Sequence, residues 1–558
     1  MGYIFLTSLW HLLLLLTVIA AAFTTCVEGK SKPPNMIFFF PDTLRAESFN
    51  SYGNKVPNVT PNFKAFAESG VRFEQAHVMH TQCSPSRCTM MTGRYMHVLG
   101  HRTQIHLVRA YEENYWRLLK ENGYHIAWYG KNDALSAAAF NLSVSEWEND
   151  IGYDSGHNAY NFGESGYWSM LSTGGEKLSN DTSQGDMRAV VKAIDFLNSD
   201  PPEPFAIFLP TRGAHPPYGP PKDFKDKWTI EEIKKYISLR PPNLKGKPKY
   251  HSNADGIRHY RNLTYLGDDT MYEIQKSYLE MISYTDYTFG VLLEGLKKSG
   301  FEENTAVFAS SDHGDFGGDY GLVEKWPGGA DDVLTRVPLF IRVPGGRKGY
   351  VSKAPVQTAD IMETMIDLAG IETDFVRFAK SLLPVVKPGS HGHIEEDTKR
   401  FVFSEGGFYF RSELFPGGSD HVPNNPKGMY WPRAQEEMSN NGTGSPKWVM
   451  IRNLTAKLVY RPLGISELYD LTEDPRELKN LYKSDILYHK KLKEELQKQL
   501  MEWLVQTGDV PPLRNDYRGP PPFPSPITQN TCDELLQPNP DATANNLIAV
   551  NGIPFFQT

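Results

Sequence analysis

Short, fully apolar runs alternate with helix-like segments between residues 33 and 385 of this 558-residue chain. The first run, Met36 to Phe40, stops abruptly at Asp42, and later examples are PFAIFL and TAVFA. Runs that are apolar throughout are typical of strands buried on both faces, as in a parallel sheet covered by helices. The pattern therefore predicts an α/β fold with a mostly parallel sheet sandwiched by helices.

The sequence pattern changes after about residue 385. The segments FVFSEGGFYF, KWVMIRN and AKLVYR have the length and composition of short antiparallel strands, and LYHKKLKEELQKQLMEWLVQTG has the pattern of one amphipathic helix. We therefore expect a large α/β domain over residues 30–385 and a smaller α+β subdomain over residues 386–510. Residues 511–558 are Pro-rich and irregular, and they are predicted to form a C-terminal tail.

The N-terminus has the pattern of an export signal. The segment HLLLLLTVIAAAF is a short apolar run followed by small residues, and it is shorter than the ~20 residues that a membrane span requires. Residues 1–29 are therefore predicted to be a signal peptide cleaved between Ala22 and Gly29, with a signal anchor as the alternative. No other stretch of the sequence is long and apolar enough for a span. We expect a secreted protein, with the lysosome as the alternative destination.

The predicted surface is that of a glycosylated, mildly acidic protein. The net charge of -8 is spread without long blocks of like charge. Such a pattern does not attract a polyanion, which argues against a nucleic-acid partner. In an exported chain, Asn-x-Ser/Thr sites accept glycans. These sites begin at Asn58, Asn141, Asn180, Asn262, Asn441 and Asn453.

The cysteine count is odd once the signal peptide is removed. The chain has four cysteines, and Cys26 is predicted to leave with the signal peptide, so that Cys83, Cys88 and Cys532 would remain. An exported protein with three cysteines keeps at least one of them out of a disulfide within its own chain. Cys83 and Cys88 lie five residues apart in QCSPSRCTMMTGRY, and a disulfide between them is one explanation.

Polar residues at separate strand ends suggest a metal site. Asp42 follows the first predicted strand, and Asp312 and His313 follow a later one. Two carboxylates with a further side-chain ligand suit a hard metal ion, and oxygen ligands in an extracellular protein favour calcium. A single Asp at a strand end is more often a cap or turn residue, so the prediction depends on the set.

Five segments, in order along the chain, resemble motifs of the sulfatase family. NMIFFFPDTLR resembles the first strand with its metal-binding Asp, and CSPSR followed by TGRY resembles the Cys-x-Pro-x-Arg modification motif. GKND resembles the Gly-Lys loop, SSDHGDFGGDYGLVEK the second metal loop, and ELYDLTEDPRELKNL the C-terminal signature. The resemblance covers nearly the whole chain. It implies an alkaline-phosphatase-like catalytic domain with the smaller domain closing one side.

The resemblance also implies what Cys83 does. In the family this cysteine is oxidised during export to formylglycine (3-oxoalanine) by the formylglycine-generating enzyme, and Pro85 and Arg87 are needed for recognition. One hydroxyl of the hydrated aldehyde attacks sulfur; the other then loses its proton, the carbonyl reforms, and sulfate is expelled. This chemistry accounts for the odd cysteine.

Further roles follow by position in the motifs. The resemblance implies that Asp42, Asp312 and His313 hold Ca²⁺ together with the oxygen of residue 83, and that the metal binds a sulfate oxygen. Arg87 would orient the hydrated aldehyde.

The resemblance also implies a set of substrate-binding groups. Lys131 and Lys325 would bind the sulfate oxygens as point charges. His215 would protonate the leaving alkoxide, since a sugar alkoxide leaves poorly without an acid.

Two positions depart from the family pattern. Thr43 stands where many relatives have Asp or Gln, and Asp133 stands where many have His. Asp133 is expected to contact a substrate hydroxyl or amine.

The sequence thus predicts a secreted, calcium-dependent sulfatase acting on a sulfated carbohydrate or aryl sulfate. One alternative is a phosphodiester or phosphonate ester hydrolase on the same scaffold. The other is a catalytically weak extracellular-matrix protein, which the two departures favour.

Overall fold

The computed structural model of the protein describes residues 32–183, 185–389, 397–408, 426–439 and 445–510. The predicted signal peptide, the sequon at Asn441, the C-terminal tail, Cys26 and Cys532 lie outside the described residues.

The main sheet has nine strands in the described part of the chain. They are β1 (Asn35–Phe39), β2 (Val71–His77), β3 (His125–Gly130), β4 (Glu146–Asn149), β5 (Phe205–Leu209), β6 (Thr305–Ala309), β7 (Arg336–Val337), β8 (Phe340–Arg342) and β9 (Tyr350–Gln357). Their order is β4-β3-β5-β1-β6-β8-β2-β7, with β9 also paired to β2. Neighbouring strands among β4, β3, β5, β1 and β6 are parallel, and β2 is parallel to β9. Strand β7 pairs antiparallel with β2, and β8 pairs antiparallel with both β2 and β6. The predicted mostly parallel α/β fold is confirmed.

Strand β1 explains why the sheet is covered on both faces. Met36 and Phe38 pack into the hydrophobic core on one side, and Ile37 and Phe39 pack into a second core on the other; none of the four is exposed. A strand with two apolar faces must be covered twice, which requires a helical layer on each side.

The helices supply those two layers. The described helices are α1 (Pro61–Ser69), α2 (Cys83–Thr92), α3 (Met96–Leu99), α4 (Tyr115–Glu121), α5 (Ala137–Ser143), α6 (Gly185–Leu197), α7 (Ile230–Tyr236), α8 (Ile257–Tyr260), α9 (Asp268–Ser299), α10 (Asp332–Thr335), α11 (Ala359–Leu368), α12 (Leu383–Val386), α13 (Trp431–Ser439) and α14 (Leu487–Gln506). Helices α2, α4 and α11 pack into one core, and α1, α6 and α9 pack into the other.

A separate antiparallel sheet lies near the C-terminus. It contains β10 (Val402–Gly406), β11 (Trp448–Arg452), β12 (Ala456–Tyr460) and β13 (Glu467–Asp470), paired in that order. Helix α14 places Leu496, Leu500 and Trp503 against Ile451 and Leu458 of this sheet. The predicted α+β character is confirmed. Strand β13 was not expected from the sequence. The predicted domain boundary after residue 385 falls within α12, and it stays a prediction.

The surface carries most of the predicted glycosylation sites. Asn58, Asn141 and Asn180 are exposed, and Asn262 and Asn453 are partly exposed. These five sequons are therefore accessible to some degree, and their glycosylation stays a prediction. Over the described ranges, no helix combines the length and the apolar character that a membrane span needs.

Candidate active site

Four neighbouring parallel strands deliver polar residues to one edge of the main sheet. Asp42 follows β1, Lys131 follows β3, His215 lies in the loop after β5, and Asp312 follows β6. The strands lie side by side in the order β3-β5-β1-β6. Ligands of open α/β sheets bind outside the carboxyl ends of such strands. The sheet order therefore brings together residues 270 positions apart, as in the hydrogen bond from the Ser311 hydroxyl to the Pro41 carbonyl.

Cys83 is the first residue of α2 and faces this edge. Its Sγ lies 3.2 Å from Nε2 of His313 and 3.7 Å from Oδ1 of Asp42. The side chain is buried, and burial raises the pKa of the Cys83 thiol, as does the charge of Asp42. Cys88 is also a buried free thiol, with its Sγ 3.3 Å from the carbonyl oxygen of Ala134. The explanation by a disulfide between Cys83 and Cys88 is therefore wrong.

The predicted metal ligands form one buried cluster. One ligand atom each from Asp42, Cys83, Asp312 and His313 lies within 4.8 Å of all the others. His313 Nδ1 is 2.8 Å from the carbonyl oxygen of Gly314, so this nitrogen donates its hydrogen there and Nε2 faces the cluster. Two carboxylates and an imidazole nitrogen suit a divalent metal ion.

Thr43 occupies a strained backbone conformation beside the cluster. Its φ is 67°, in the left-handed region that a β-branched residue adopts only when its surroundings enforce it. Its hydroxyl donates to Oδ1 of Asp42 at 2.5 Å, and its backbone N–H donates to Oδ1 of Asp312 at 3.1 Å. Tyr278 donates its hydroxyl to the Thr43 carbonyl at 2.9 Å. Thr43 thus connects the two carboxylates of the cluster.

Arg87 and Lys131 balance the buried carboxylates. Arg87 Nε lies 2.9 Å from Oδ2 of Asp312, and its Nη2 lies 3.2 Å from Oδ2 of Asp42. Lys131 Nζ lies 2.7 Å from the same Asp42 oxygen. Burial by itself would raise the pKa of Asp42, but the positive charges of Lys131 and Arg87 hold this pKa well below its ordinary value. Asp42 is therefore an anion at neutral pH.

Lys325 and His215 form a hydrogen-bonded pair. Lys325 Nζ lies 2.6 Å from Nε2 of His215, whose Nδ1 is 2.7 Å from the carbonyl oxygen of Pro216. Burial and the positive charge of Lys325 lower the pKa of His215 well below its ordinary value. Burial opposes the charge of Lys325, but nearby acidic groups, led by Cys83, raise its pKa. The shared proton therefore resides on Lys325, and His215 is a neutral acceptor.

Asp133, the second departure from the family pattern, lies in the same place. Its Oδ2 is 2.7 Å from Nζ of Lys131, so Lys131 bridges Asp42 and Asp133. The Asp133 side chain remains 24% exposed, compared with 0% for Asp42. Asp133 is therefore open to solvent, whereas the side chains around Asp42 cover it.

Several residues of the site line a polar pocket of about 310 Å³. Lys131, Arg212, Lys325 and Arg433 contribute four cationic side chains, and Asp133 contributes one carboxylate. The remaining lining residues are Cys83, Ser84, Gln104, His215 and Tyr430. The excess of positive charge suits an anionic ligand.

Sequence reasoning did not assign five of these lining residues. Arg212 lies three positions before His215 at the same strand end, and Ser84 lies inside the CSPSR motif, so both had a positional signal. Gln104 accepts hydrogen bonds from Ser84, including one from its hydroxyl at 2.8 Å. Tyr430 and Arg433 come from a segment with no readable motif.

Comparisons of sequence agree with the site. A family model described as Sulfatase matches residues 34–371. An uncharacterized sulfatase of Escherichia coli (strain K12) is 27% identical over 367 residues, covering 64% of this chain and 72% of that protein. An N-acetylglucosamine-6-O-sulfatase of Bacteroides thetaiotaomicron is 23% identical over 573 residues, covering 88% of this chain and 90% of that protein.

The fold has solved counterparts. A phosphonate monoester hydrolase of Agrobacterium radiobacter superposes with a TM-score of 0.68 at 20% identity, covering 85% of this chain and 96% of that one. At this identity the likeness concerns the fold alone. The family model, by contrast, spans more than half of the chain and includes the Asp42, Cys83, Asp312 and His313 cluster. The protein therefore belongs to the sulfatase family and is a sulfuric ester hydrolase.

Proposed function

We propose that the protein is an exported sulfatase that depends on formylglycine and calcium and removes sulfate from a sulfated carbohydrate. The observation that carries this proposal is the position of Cys83. Its Sγ lies 3.2 Å from Nε2 of His313 in the metal-binding cluster, and the residue also lines the cationic pocket with Lys131 and Lys325. A nucleophile at this position meets an anionic substrate and a metal at once.

The residues around position 83 suit a calcium ion and a formylglycine side chain. Asp42, Asp312 and His313 would hold the calcium ion, which supplies positive charge for a sulfate oxygen. A hydrated formylglycine supplies both a hydroxyl nucleophile and a means of releasing sulfate. It would also complete the donor set with an oxygen, the ligand type that calcium prefers, in place of the sulfur. One nitrogen of Arg87, Nη1, is buried without a hydrogen-bond partner among the described residues, which leaves a donor for such an oxygen.

The pocket residues bind and orient the substrate in this proposal. Lys131 and Lys325 donate to sulfate oxygens, and Arg212 and Arg433 add positive charge at the pocket wall. The Lys325–His215 pair holds a proton that it can pass to the leaving oxygen of the sugar.

Three kinds of observation support the finer parts of the proposal. The similarity to an N-acetylglucosamine-6-O-sulfatase supports a carbohydrate over a small aryl sulfate. The export signal pattern and the exposed sequons support a secreted protein, with the lysosome as the alternative. The odd cysteine and the CSPSR motif support conversion by the formylglycine-generating enzyme during export.

A phosphonate or phosphate ester hydrolase is the second candidate, because a phosphonate monoester hydrolase shares the fold. Turnover of a sulfate monoester, a phosphonate monoester and a phosphate diester with the same leaving group separates the two functions. We expect kcat/KM to favour the sulfate monoester by at least about 100-fold, roughly the contribution of one well-placed electrostatic contact. A preference for the phosphonate would replace the proposal with the second candidate, and turnover of none of the three would favour the weak matrix protein.

Removal of calcium gives an independent check of the metal. Dialysis against a chelator is expected to lower sulfate monoester turnover at least about 100-fold, because the metal stabilises developing charge. Addition of Ca²⁺ should restore activity more completely than Mg²⁺ or Mn²⁺. Full restoration by Mn²⁺ alone would contradict the calcium assignment.

Replacing Asp133 separates its two possible effects. The Asp133→Asn variant frees Lys131 from a charge partner at 2.7 Å, so KM for 4-nitrophenyl sulfate is expected to fall several-fold. If Asp133 binds a hydroxyl or amine of the sugar, kcat/KM for a sulfated sugar falls in the same variant, by about tenfold. Glu176→Gln, at an exposed surface ion pair with Lys222, is the matched control. Parallel changes on both substrates would show that Asp133 acts only through Lys131.

A further inference from the structure

A second cavity has a volume of about 280 Å³ and is lined by other residues than the catalytic pocket. We call it the aromatic cavity, and its main lining residues are Tyr167, Trp168, Met170, Pro217, Lys427 and Met429. Its wall is more apolar than that of the catalytic pocket, which is lined chiefly by charged groups. None of the roles described above accounts for this cavity.

Two chain segments line both cavities. His215 lines the catalytic pocket, and Pro217, two residues later, lines the aromatic cavity. Met429 lines the aromatic cavity, and the next residue, Tyr430, lines the catalytic pocket. Because consecutive Cα atoms are about 3.8 Å apart, both segments pass directly from one cavity to the other. The two cavities therefore share two stretches of wall and lie close together.

Hydrogen bonds hold the aromatic wall to the loop that carries His215. The backbone N–H of Tyr218 donates to the Met170 carbonyl at 2.7 Å, and that of Ser172 donates to the Tyr218 carbonyl at 3.1 Å. The hydroxyl of Tyr167 donates to the Lys427 carbonyl at 3.1 Å, which joins the wall to the other shared segment. Met170 has φ 61°, a strained conformation for a residue with a Cβ, and such strain occurs at ligand sites.

The lining chemistry suits a sugar ring. The rings of Tyr167 and Trp168 are 5.3 Å apart at 87°, so they form two perpendicular aromatic surfaces. A pyranose ring presents apolar C–H faces with hydroxyls around its edge, and aromatic faces with a few polar groups match that pattern. Asn158 and Ser172 supply polar groups at the cavity. The ammonium of Lys427, 5.3 Å from the centre of the Phe162 ring, adds a positive charge.

We propose that the aromatic cavity binds a second sugar ring of an anionic oligosaccharide, next to the ring whose sulfate enters the catalytic pocket. This inference rests on the proposed function and narrows it, because it makes an oligosaccharide, rather than a monosaccharide or a small aryl sulfate, the preferred substrate. Lys427 selects rings that carry a sulfate or carboxylate group.

Replacing Trp168 tests the proposal with two substrates in the full chain. In Trp168→Ala, kcat/KM for the sulfated tetrasaccharide fraction of depolymerised heparin is expected to fall about tenfold, the equivalent of one aromatic contact. The same constant for 4-nitrophenyl sulfate, which is too small to reach the aromatic cavity, should stay within about twofold. Trp147→Ala is the matched control, since Trp147 is 53% exposed on β4 and lines neither cavity.

A binding measurement keeps this test separate from catalysis. In a Cys83→Ala background, calorimetry with the same tetrasaccharide fraction should show an affinity about tenfold weaker when Trp168→Ala is added. If the affinity falls in this way but the unmutated protein does not hydrolyse either substrate, the proposal for the aromatic cavity is supported and the proposed function is contradicted. Equal losses on both substrates, no loss on either, or no binding of the tetrasaccharide would overturn the proposal for the aromatic cavity.

Discussion

The Cys83→Ala variant is expected to lose sulfate ester hydrolysis by at least about 10⁴-fold in kcat, because it removes the nucleophile. The protein should still fold. The alanine removes one sulfur atom from a buried site, and the ion pairs among Asp42, Arg87, Lys131 and Asp312 do not involve that atom. Steady-state rates with 4-nitrophenyl sulfate and a thermal melt measure the two quantities.

Cys83→Ser gives a more specific result than Cys83→Ala. A serine hydroxyl can attack sulfur, but it lacks the second hydroxyl whose deprotonation would expel sulfate. The variant is expected to retain the sulfo group, which increases the intact mass by about 80 Da after incubation with substrate. Cys88→Ala is the matched control, because Cys88 is buried beside Ala134 and does not belong to the cluster of Asp42, Cys83, Asp312 and His313. Loss of activity in Cys88→Ala equal to that in Cys83→Ala would contradict the assignment.

The His215→Ala variant should have the next largest effect, and the effect should depend on the leaving group. A sugar alkoxide must be protonated as it leaves, and disruption of the Lys325–His215 pair that would deliver this proton is expected to cost about 10²–10⁴-fold. The 4-nitrophenolate ion leaves without a proton, so kcat for 4-nitrophenyl sulfate is expected to fall by less than about tenfold. The comparison of the two substrates measures the proton transfer separately from sulfate binding.

Lys325→Ala tests the other half of the pair. Lys325 carries the shared proton and lines the cationic pocket, so its removal should lower kcat/KM for both substrates. His97→Gln is the control histidine, because His97 is hydrogen-bonded to Glu405 and does not line the pocket. If His215→Ala reduced the rate equally for both substrates, His215 would serve sulfate binding rather than proton transfer.

The main sheet could be predicted from the sequence because its strands are apolar throughout. Met36 to Phe40 is buried on both faces, and this requirement leaves a clear local pattern. Strand β13 lacked such a pattern: it has four residues, ELYD, and two of them are charged. Glu467 is buried there beside Arg461 and Lys247, and the distant Lys247 is a compensating charge that local sequence does not show.

The positions of the site residues were predictable, but their contacts were not. Asp42, Lys131 and Asp312 each follow a strand, so the parallel sheet brings them to one edge. Arg87 was expected beside the hydrated aldehyde, which stays a prediction, and its ion pairs with both Asp42 and Asp312 were not expected. That arrangement depends on the packing of α2 against the sheet, which spacing along the chain does not specify.

The two departures from the family pattern have different structural consequences. Thr43 donates to Asp42 through its hydroxyl and to Asp312 through its backbone, so it maintains the cluster although it adds no carboxylate. Asp133 changes the charge at Lys131 within the pocket. Neither change removes a member of the Asp42, Cys83, Asp312 and His313 cluster, which supports an active enzyme over a weak matrix protein.

The mass of the tryptic peptide that contains residue 83, from protein secreted by a eukaryotic host, tests the central claim most directly. Conversion of the thiol to an aldehyde lowers the mass by about 18 Da, and hydration of the aldehyde restores about 18 Da. Reaction with a hydrazine reagent therefore confirms the carbonyl. We predict the modified peptide as the main species. An unmodified thiol, or a disulfide from Cys83 to another cysteine, would contradict the formylglycine mechanism.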